Sequence, residues 1–256
     1  MYGGQNIKLL IAYDGTDFHG WQRQDENKIE TRTVQGVIEG ALRKMHGHPV
    51  NLTGSGRTDT GVHASGQAAN FYTTIKNIPP CRFVPALNAL LPQDVRIIES
   101  TPADKNFHAR FSARKRTYRY NFIPCRPAFP HESRYNLQLR RHPRLETLNA
   151  YGKLLTGETD CSLFAGAGDS ALEEGKSTNR YIYSAVFYTE NDRLIFEICA
   201  NAFLRKMVRS IAGTFLHYEE KDTPPDKLRR IIAAGNRCDA GPTLPPQGLF
   251  LMNIEY

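Results

Sequence analysis

The chain has 256 residues, which is enough for one large domain or two small ones with a buried core. Its 33 lysine and arginine residues exceed its 26 acidic residues, and the net charge of +7 favours an anionic partner such as nucleic acid without requiring one. No apolar run reaches the ~20 residues of a membrane span, and residues 1–6 lack the features of a secretory signal. The five cysteines have no metal or redox spacing. We therefore expect a cytoplasmic protein with free thiols and no membrane partner.

The first half of the chain predicts a compact α/β unit. Residues 7–13 have the composition of a buried strand, and a helix with one apolar face follows from a Thr33 cap to a stop at Gly47. The other predicted elements are strands over 50–53 and 67–72, a short helix over 85–91 and a strand over 95–98. We place the end of this first domain at residue 104.

The second domain, residues 105–256, is predicted to repeat the plan of strand, helix and further strands. Residues 115–123 alternate, so Tyr118, Tyr120 and Phe122 should share one face. The other expected elements are an exposed segment over 124–143, a helix over 145–155, a mobile loop over 165–176, a hairpin over 181–200, a helix over 202–217 capped by Asn201, a helix over 226–234 and a strand over 249–256. In the helix over 202–217, Arg205 and Arg209 would lie on one face.

Candidate chemistry is concentrated in the loop GSGRTDTGVHA, residues 54–64, which lies between two predicted strands. Its glycines allow close approach of a ligand, and it carries Arg57, Asp59 and His63. Hydrolysis by paired carboxylates needs a second acidic residue, and no other acid lies close to Asp59 in sequence. A phosphate-binding loop needs a lysine after its glycine, and this loop has none. A single carboxylate in basic surroundings suits nucleophilic or electrostatic work on an electrophilic carbon, and a solvated charged turn is the alternative.

Several motifs together make the sequence similar to the tRNA pseudouridine synthase A family. Beside the loop at 54–64 and GQ at 66–67, the motifs that match in order and spacing are YDGTDFHGWQRQ (13–24), TVQG (33–36), ALNALLP (86–92), FHARFSARKRTYRY (107–120), NAFLRKMVRSIAG (201–213) and AGPTLPPQGLFL (240–251). Ser55 and Thr60 stand where the family often has alanine, and residues 157–176 match poorly.

This resemblance implies an α+β protein with the pseudouridine synthase fold. Two α/β domains would share a large, mainly antiparallel mixed sheet with flanking helices and a basic active-site cleft. It also implies an isomerase that converts uridine to pseudouridine at nucleotides 38, 39 and 40, in the anticodon stem-loop of tRNA. The enzyme would act as a homodimer, without a cofactor and without a metal.

The resemblance assigns roles to named residues. Asp59 matches the catalytic carboxylate, Arg57 the residue that fills the space of a flipped base, Tyr118 the residue against that base and Arg209 the partner of the carboxylate. Leu249 matches an apolar wall of the base pocket, and Thr58, Arg205 and Lys206 are expected to contact the substrate. His63 and Gln67 are expected to shape the loop.

Two other functions compete with this interpretation. A non-catalytic RNA-binding module could keep the fold, although the presence of Asp59, Tyr118 and Arg209 together argues against it. An unrelated hydrolase with an aspartate nucleophile could act on nucleosides or sugars, but it is disfavoured by the distributed basic clusters and the missing second carboxylate.

Overall fold

A computed structural model describes residues 4–24 and 31–256. Part of the N-terminal stretch used to exclude a secretory signal, residues 1–3, lies outside the described residues. The chain forms two compact units, Met1–Arg114 together with Phe250–Tyr256, and Lys115–Leu249. A compact unit is not the same as an independent domain, so the expected boundary after residue 104 stays a prediction.

Within the described part of the chain there are ten strands and seven α-helices. The strands are β1 (Gln5–Tyr13), β2 (Thr53–Gly54), β3 (His63–Thr73), β4 (Val95–Pro102), β5 (Lys115–Pro124), β6 (Leu137–Leu139), β7 (Gly157–Asp160), β8 (Asn179–Glu190), β9 (Arg193–Ala200) and β10 (Leu249–Glu255). The helices are α1 (Val34–His46), α2 (Phe83–Asn88), α3 (Pro130–Ser133), α4 (Leu145–Leu155), α5 (Ser170–Glu173), α6 (Met207–Glu220) and α7 (Pro225–Ala234). The predicted α+β class is confirmed.

In the first unit, β1 is the central strand of the sheet. It pairs antiparallel with β3 on one side and with β4 on the other, and β2 and the first residues of β10 join β3. Alternation buries Ile7, Leu9 and Ile11 of β1 completely, which explains the apolar composition of this strand. Helix α1 begins and ends as predicted, because the Thr33 hydroxyl accepts a hydrogen bond from the Gly36 amide and Gly47 adopts a left-handed φ of 74°.

In the second unit, the sheet has the order β5-β9-β8-β7, and β6 pairs parallel with β5. The predicted alternation of β5 is confirmed, since Tyr118, Tyr120 and Phe122 are all buried and the last two rings stack with centroids 4.6 Å apart. Helix α4 lies close to β8. A Cβ atom on Gly152 would stand 2.1 Å from the carbonyl oxygen of Ala185, so only glycine allows this approach.

The predicted start of the helix after β9 is wrong. Asn201 does not cap a helix, because its side-chain oxygen accepts a hydrogen bond from the Tyr181 amide, 3.0 Å away. Helix α6 begins only at Met207, after Lys206 with a left-handed φ of 60°. Arg205 therefore precedes the helix, and it does not share a helical face with Arg209.

Two segments expected to be irregular contain regular structure. Residues 124–143 include α3 and β6, and residues 165–176 include α5, whose N-terminus is capped by the Asp169 side chain. No helix in residues 4–24 and 31–256 has both the length and the apolarity required to cross a membrane. The five cysteines are all free thiols, as expected.

Candidate active site

Hydrogen bonds with Gln67 of β3 fix the first residues of the glycine-rich loop. The Ser55 hydroxyl donates a hydrogen bond to Gln67 Oε1 at 2.6 Å, and Gln67 Nε2 donates to the carbonyl oxygen of Gly56 at 3.0 Å. Gly54 lies against the indole of Trp21, so close that a Cβ atom would stand 2.4 Å from the ring nitrogen. The buried indole thus fills the space beneath this loop and requires glycine there.

The three residues 57–59 differ in exposure. Thr58 is buried, and its hydroxyl lies 2.7 Å from the hydroxyl of Tyr13. Arg57 is exposed and Asp59 is half-buried. The loop therefore buries its Thr58 hydroxyl and leaves Arg57, and part of Asp59, in contact with solvent.

The backbone around Asp59 is also held closely. The Thr58 carbonyl oxygen accepts a hydrogen bond from the Trp21 amide at 3.1 Å, and the Asp59 carbonyl accepts one from the Val62 amide at 3.1 Å. Gly61 completes this turn with a left-handed φ of 77°. These bonds restrict the position of the carboxylate before any substrate arrives, which is the condition for a preorganised site.

His63 has a structural role, as expected. Its side chain is fully buried, its ring stacks on Phe250 with centroids 4.6 Å apart, and its Nδ1 accepts a hydrogen bond from the Gly15 amide at 3.1 Å. The Asp14 carboxylate lies 3.2 Å from the same nitrogen. The imidazole thereby fixes the turn after β1 against the start of β3.

In the second unit, Tyr118 lies on β5 opposite Ile198 of β9. Its side chain is 8% exposed, and the ring of Phe203 meets it edge to face, with centroids 5.0 Å apart. Phe203 belongs to the irregular segment that replaces the predicted first turn of α6. The sequence analysis did not identify Phe203 as a functional residue, although it lies within the motif at 201–213.

Arg209 lies on the first turn of α6, and its Nε donates a hydrogen bond to the carbonyl oxygen of Leu244 at 2.7 Å. The Tyr120 hydroxyl donates to the next carbonyl, that of Pro245. Burial raises the pKa of Tyr120 above its ordinary value, and the nearby charge of Arg209 opposes that shift only in part. Tyr120 is therefore a neutral hydrogen-bond donor, and Arg209 is held through its Nε.

Leu249 follows a close backbone contact. Gly248 adopts a φ of 87°, and a Cβ atom there would stand 2.8 Å from the carbonyl oxygen of Asn121. Leu249 itself is buried, and its amide donates to the Pro246 carbonyl at 3.0 Å. The side chain of Leu249 is thus buried, and its backbone is fixed by this hydrogen bond.

Arg205 is bound to the segment around Asp169. Its amide donates to the Asp169 carboxylate, and its guanidinium donates to the carbonyl oxygens of Ala167 and Gly168 at 3.3 Å each. The Gly166 amide donates to the Arg205 carbonyl at 2.8 Å. This cluster fixes the segment that carries Phe203 and Lys206, and sequence reasoning missed Asp169 because its partner lies 36 residues away.

The expected residues are divided between the two compact units. Arg57, Thr58 and Asp59 belong to the first unit, and Tyr118, Arg205, Lys206, Arg209 and Leu249 belong to the second. Across residues 4–24 and 31–256, no group of three or more histidine, cysteine or acidic side chains has the arrangement of a metal site.

The protein has an α+β fold, and its glycine-rich loop carries a carboxylate two residues after an arginine. Comparisons with known proteins specify the class of protein. The model of the tRNA pseudouridine synthase family matches residues 9–112 and 152–256.

Three bacterial relatives extend the match over almost the whole chain, and each is a tRNA pseudouridine synthase A. The protein of Treponema denticola is 51% identical over 253 residues, which cover 98% of this chain and 93% of the relative. The proteins of Caldicellulosiruptor bescii and of Thermoanaerobacter sp. are 41% and 37% identical, and each match covers 98% of this chain and 100% of the relative. The chain belongs to the tRNA pseudouridine synthase family, whose members are isomerases that act on uridine in tRNA.

Proposed function

We propose that this protein isomerises uridine to pseudouridine in the anticodon stem-loop of tRNA, with Asp59 as the catalytic carboxylate. The observation that carries the proposal is the arrangement of residues 57–59. Thr58 is buried against Tyr13 in a loop held by hydrogen bonds, whereas Arg57 is exposed and Asp59 is half-buried.

The reaction needs a negatively charged group close to one electron-poor carbon, the ribose C1′. The bond from ribose C1′ to base N1 breaks, the base turns, and a bond forms from C1′ to C5. The C5 proton leaves and N1 takes up a proton, so the product is an isomer of the substrate. Nothing is consumed, because the base that leaves the sugar is the base that returns. The Asp59 carboxylate supplies the negative charge that an electron-poor C1′ requires, as the acidic residue does in retaining glycosidases.

The target base must first leave its stack, which costs a few kcal/mol. Arg57 is exposed beside Asp59 and has the length to occupy the vacated space, and its charge suits the flanking phosphates. Tyr118 is proposed to lie against the flipped base, and its edge-to-face contact with Phe203 supports that role by fixing the orientation of the ring. Leu249 is proposed as an apolar wall of the base pocket.

Other roles follow from the resemblance and stay predictions. They include the pairing of Arg209 with the catalytic carboxylate, and direct contacts of Thr58, Arg205 and Lys206 with the RNA. For Thr58 and Arg205 the hydrogen bonds described above support positioning roles, because their polar atoms already have protein partners. Assembly as a homodimer and a cytoplasmic location are also proposals, and the net charge of +7 is favourable for a polyanionic substrate.

Tritium release from tRNA tests the proposed function. An unmodified tRNA transcript tritiated at uridine C5 is incubated with the wild type, with Asp59→Ala and with Asp59→Asn. We expect release by the wild type alone, and equal affinity of all three proteins for the tRNA. A transcript whose uridines in the anticodon stem-loop are replaced by cytidine should give no release. Binding without release by the wild type would contradict the proposal and favour an RNA-binding module.

A further inference from the structure

Phe111 is the most exposed large hydrophobic side chain among the described residues, at 77%. It lies in the irregular connection between β4 and β5, within the first unit. A ring left in water contributes little to the stability of the fold, because the hydrophobic effect requires that apolar surface be removed from water. Its position therefore calls for an explanation from binding.

The connection that carries Phe111 is braced from the sheet by two buried asparagines. Asn6 Nδ2 donates to the carbonyl oxygens of Asp104 and Phe107, at 2.8 and 2.9 Å. Asn70 Oδ1 accepts from the Ala109 amide at 2.9 Å, and Asn70 Nδ2 donates to Asn6 Oδ1 at 2.9 Å. Buried amides with these partners fix the backbone on both sides of the turn.

The tip of the turn is fixed as well. His108 Nδ1 accepts from the amides of Arg110 and Phe111, at 3.2 and 3.3 Å. The rings of His108 and Phe111 lie 4.4 Å apart between centroids, and the Arg110 guanidinium lies 5.7 Å from the centre of the Phe111 ring. The exposed ring is thus held in place before any ligand binds, so binding costs little conformational entropy.

We propose that Phe111 is a stacking surface for an unpaired base of the RNA substrate, distinct from the uridine that reacts. Aromatic side chains in positively charged surroundings bind single-stranded bases by stacking, and arginine adds a cation–π contribution. Lys105, Arg110 and Arg114 supply that charge within ten residues of chain. The inference rests on the proposed function, because it takes an unpaired segment of tRNA as the ligand.

A protein partner would leave a different pattern. Interfaces between proteins are built on contiguous apolar patches with few charges at their centre. The neighbours of the Phe111 ring in this turn are an imidazole and a guanidinium, which suit a π surface and a phosphate. These neighbours favour RNA as the occupant.

Affinity for unmodified tRNA provides the first test. We expect Phe111→Ala to bind about 5- to 100-fold more weakly than the wild type, and Phe111→Trp to bind as well as the wild type. Ile98→Ala is the matched control, since it removes another exposed apolar side chain of the same unit and should leave affinity unchanged. Thermal unfolding should be the same for all four proteins, because the Phe111 ring is not part of the core.

An abasic scan of the anticodon stem-loop locates the contact. With the wild type, removal of one unpaired base should weaken binding as much as Phe111→Ala does, and the variant should show no additional loss with that RNA. Additive losses at every position would overturn the inference. So would unchanged tRNA affinity with an altered sedimentation mass, since the ring would then be a protein contact. The tritium assay on the wild type is independent, so an inactive wild type counts against the proposed function and not against the stacking contact.

Discussion

Asp59 has Arg57 two residues away in sequence, Glu219 has Arg141 and Arg144 against it in space, and the fold buries the two carboxylates to different extents. Glu219, near the end of α6, is fully buried and accepts hydrogen bonds from the side chains of Arg141 and Arg144 and from the Arg144 amide. Asp59 stays half-buried, and the bonds that brace its loop fall largely on its neighbour Thr58.

The difference shows that a basic cluster in sequence does not by itself mark an RNA-binding surface. Two of the four arginines between residues 134 and 144 are occupied by Glu219, and they connect this segment to α6 within the second unit. At Asp59 the surrounding hydrogen bonds position the loop, and the residue stays half-buried. One acid stabilises the fold, whereas the other is proposed to react.

The largest contrast should come from amide substitutions of the two acids. Asp59→Asn is expected to reduce tritium release by about 10⁴-fold or more, because the amide carries no negative charge for C1′. Its free energy of unfolding in urea should stay within about 1 kcal/mol of the wild-type value, since the hydrogen bonds described for the loop are made by backbone groups and by the side chains of Ser55, Thr58 and Gln67. Retention of a tenth of the activity would remove Asp59 from the chemistry.

Glu219→Gln should show the reverse behaviour. The amide loses charge-assisted bonds to two arginines, and we expect a loss of about 2 kcal/mol in the free energy of unfolding. Tritium release at a temperature where the variant is folded should stay within a few-fold of the wild-type rate. A strong loss of activity in a stably folded variant would mean that Glu219 does more than stabilise the second unit.

The stabilisation by Glu219 should depend on pH. Burial alone would raise the pKa of this carboxyl, but the hydrogen bonds from Arg141 and Arg144 lower it below its ordinary value of 4.5. A depressed folded-state pKa means that the stabilisation is complete above the unfolded value and is lost as pH falls through the folded value. The stability gap between the wild type and Glu219→Gln should be constant near neutral pH and shrink below about pH 4.5. A gap that is unchanged at about pH 3 would contradict this cause.

A smaller effect is expected at Thr58. Thr58→Val keeps the shape and removes the hydroxyl that contacts Tyr13, so we expect a loss of about 1 kcal/mol in stability and about a tenfold fall in turnover from a loosened loop. Affinity for tRNA should not change. Thr58→Ser should restore turnover, and Thr58→Val in a Tyr13→Phe background should cost little more than Tyr13→Phe alone. Full additivity would show that the two hydroxyls act separately.

Local rules predicted those parts of the fold that depend on neighbours in sequence. Helix α1 was predicted at both ends because its cap, its apolar face and its terminal glycine all lie within 15 residues. Helix α6 was misplaced by five residues, because Asn201 bonds to the backbone of Tyr181, 20 residues away. A local sequence pattern cannot show that a distant backbone amide binds the side chain expected to cap the helix.

For the candidate site, too, the sequence identified some residues but not the long-range contacts that hold them. The resemblance identified Arg57, Asp59 and Tyr118 as residues of interest, and in the structure Arg57 is exposed and Asp59 is half-buried. The contacts that hold them were not predictable, because Thr58 meets Tyr13 across 45 residues and Phe203 meets Tyr118 across 85 positions of the chain. Asp169 and Asn6 belong to the same class of distant positioning residues.

The contact between Trp21 and Gly54 makes the loop visible to spectroscopy. Trp21 is the single tryptophan of the chain, and its indole lies on the first residue of the loop that carries Asp59. Indole emission therefore reports on water near this loop, with no contribution from elsewhere in the protein. A shift of the emission to longer wavelength, at denaturant concentrations where far-ultraviolet circular dichroism is still native, would measure local opening of the loop at 54–64 without an introduced dye.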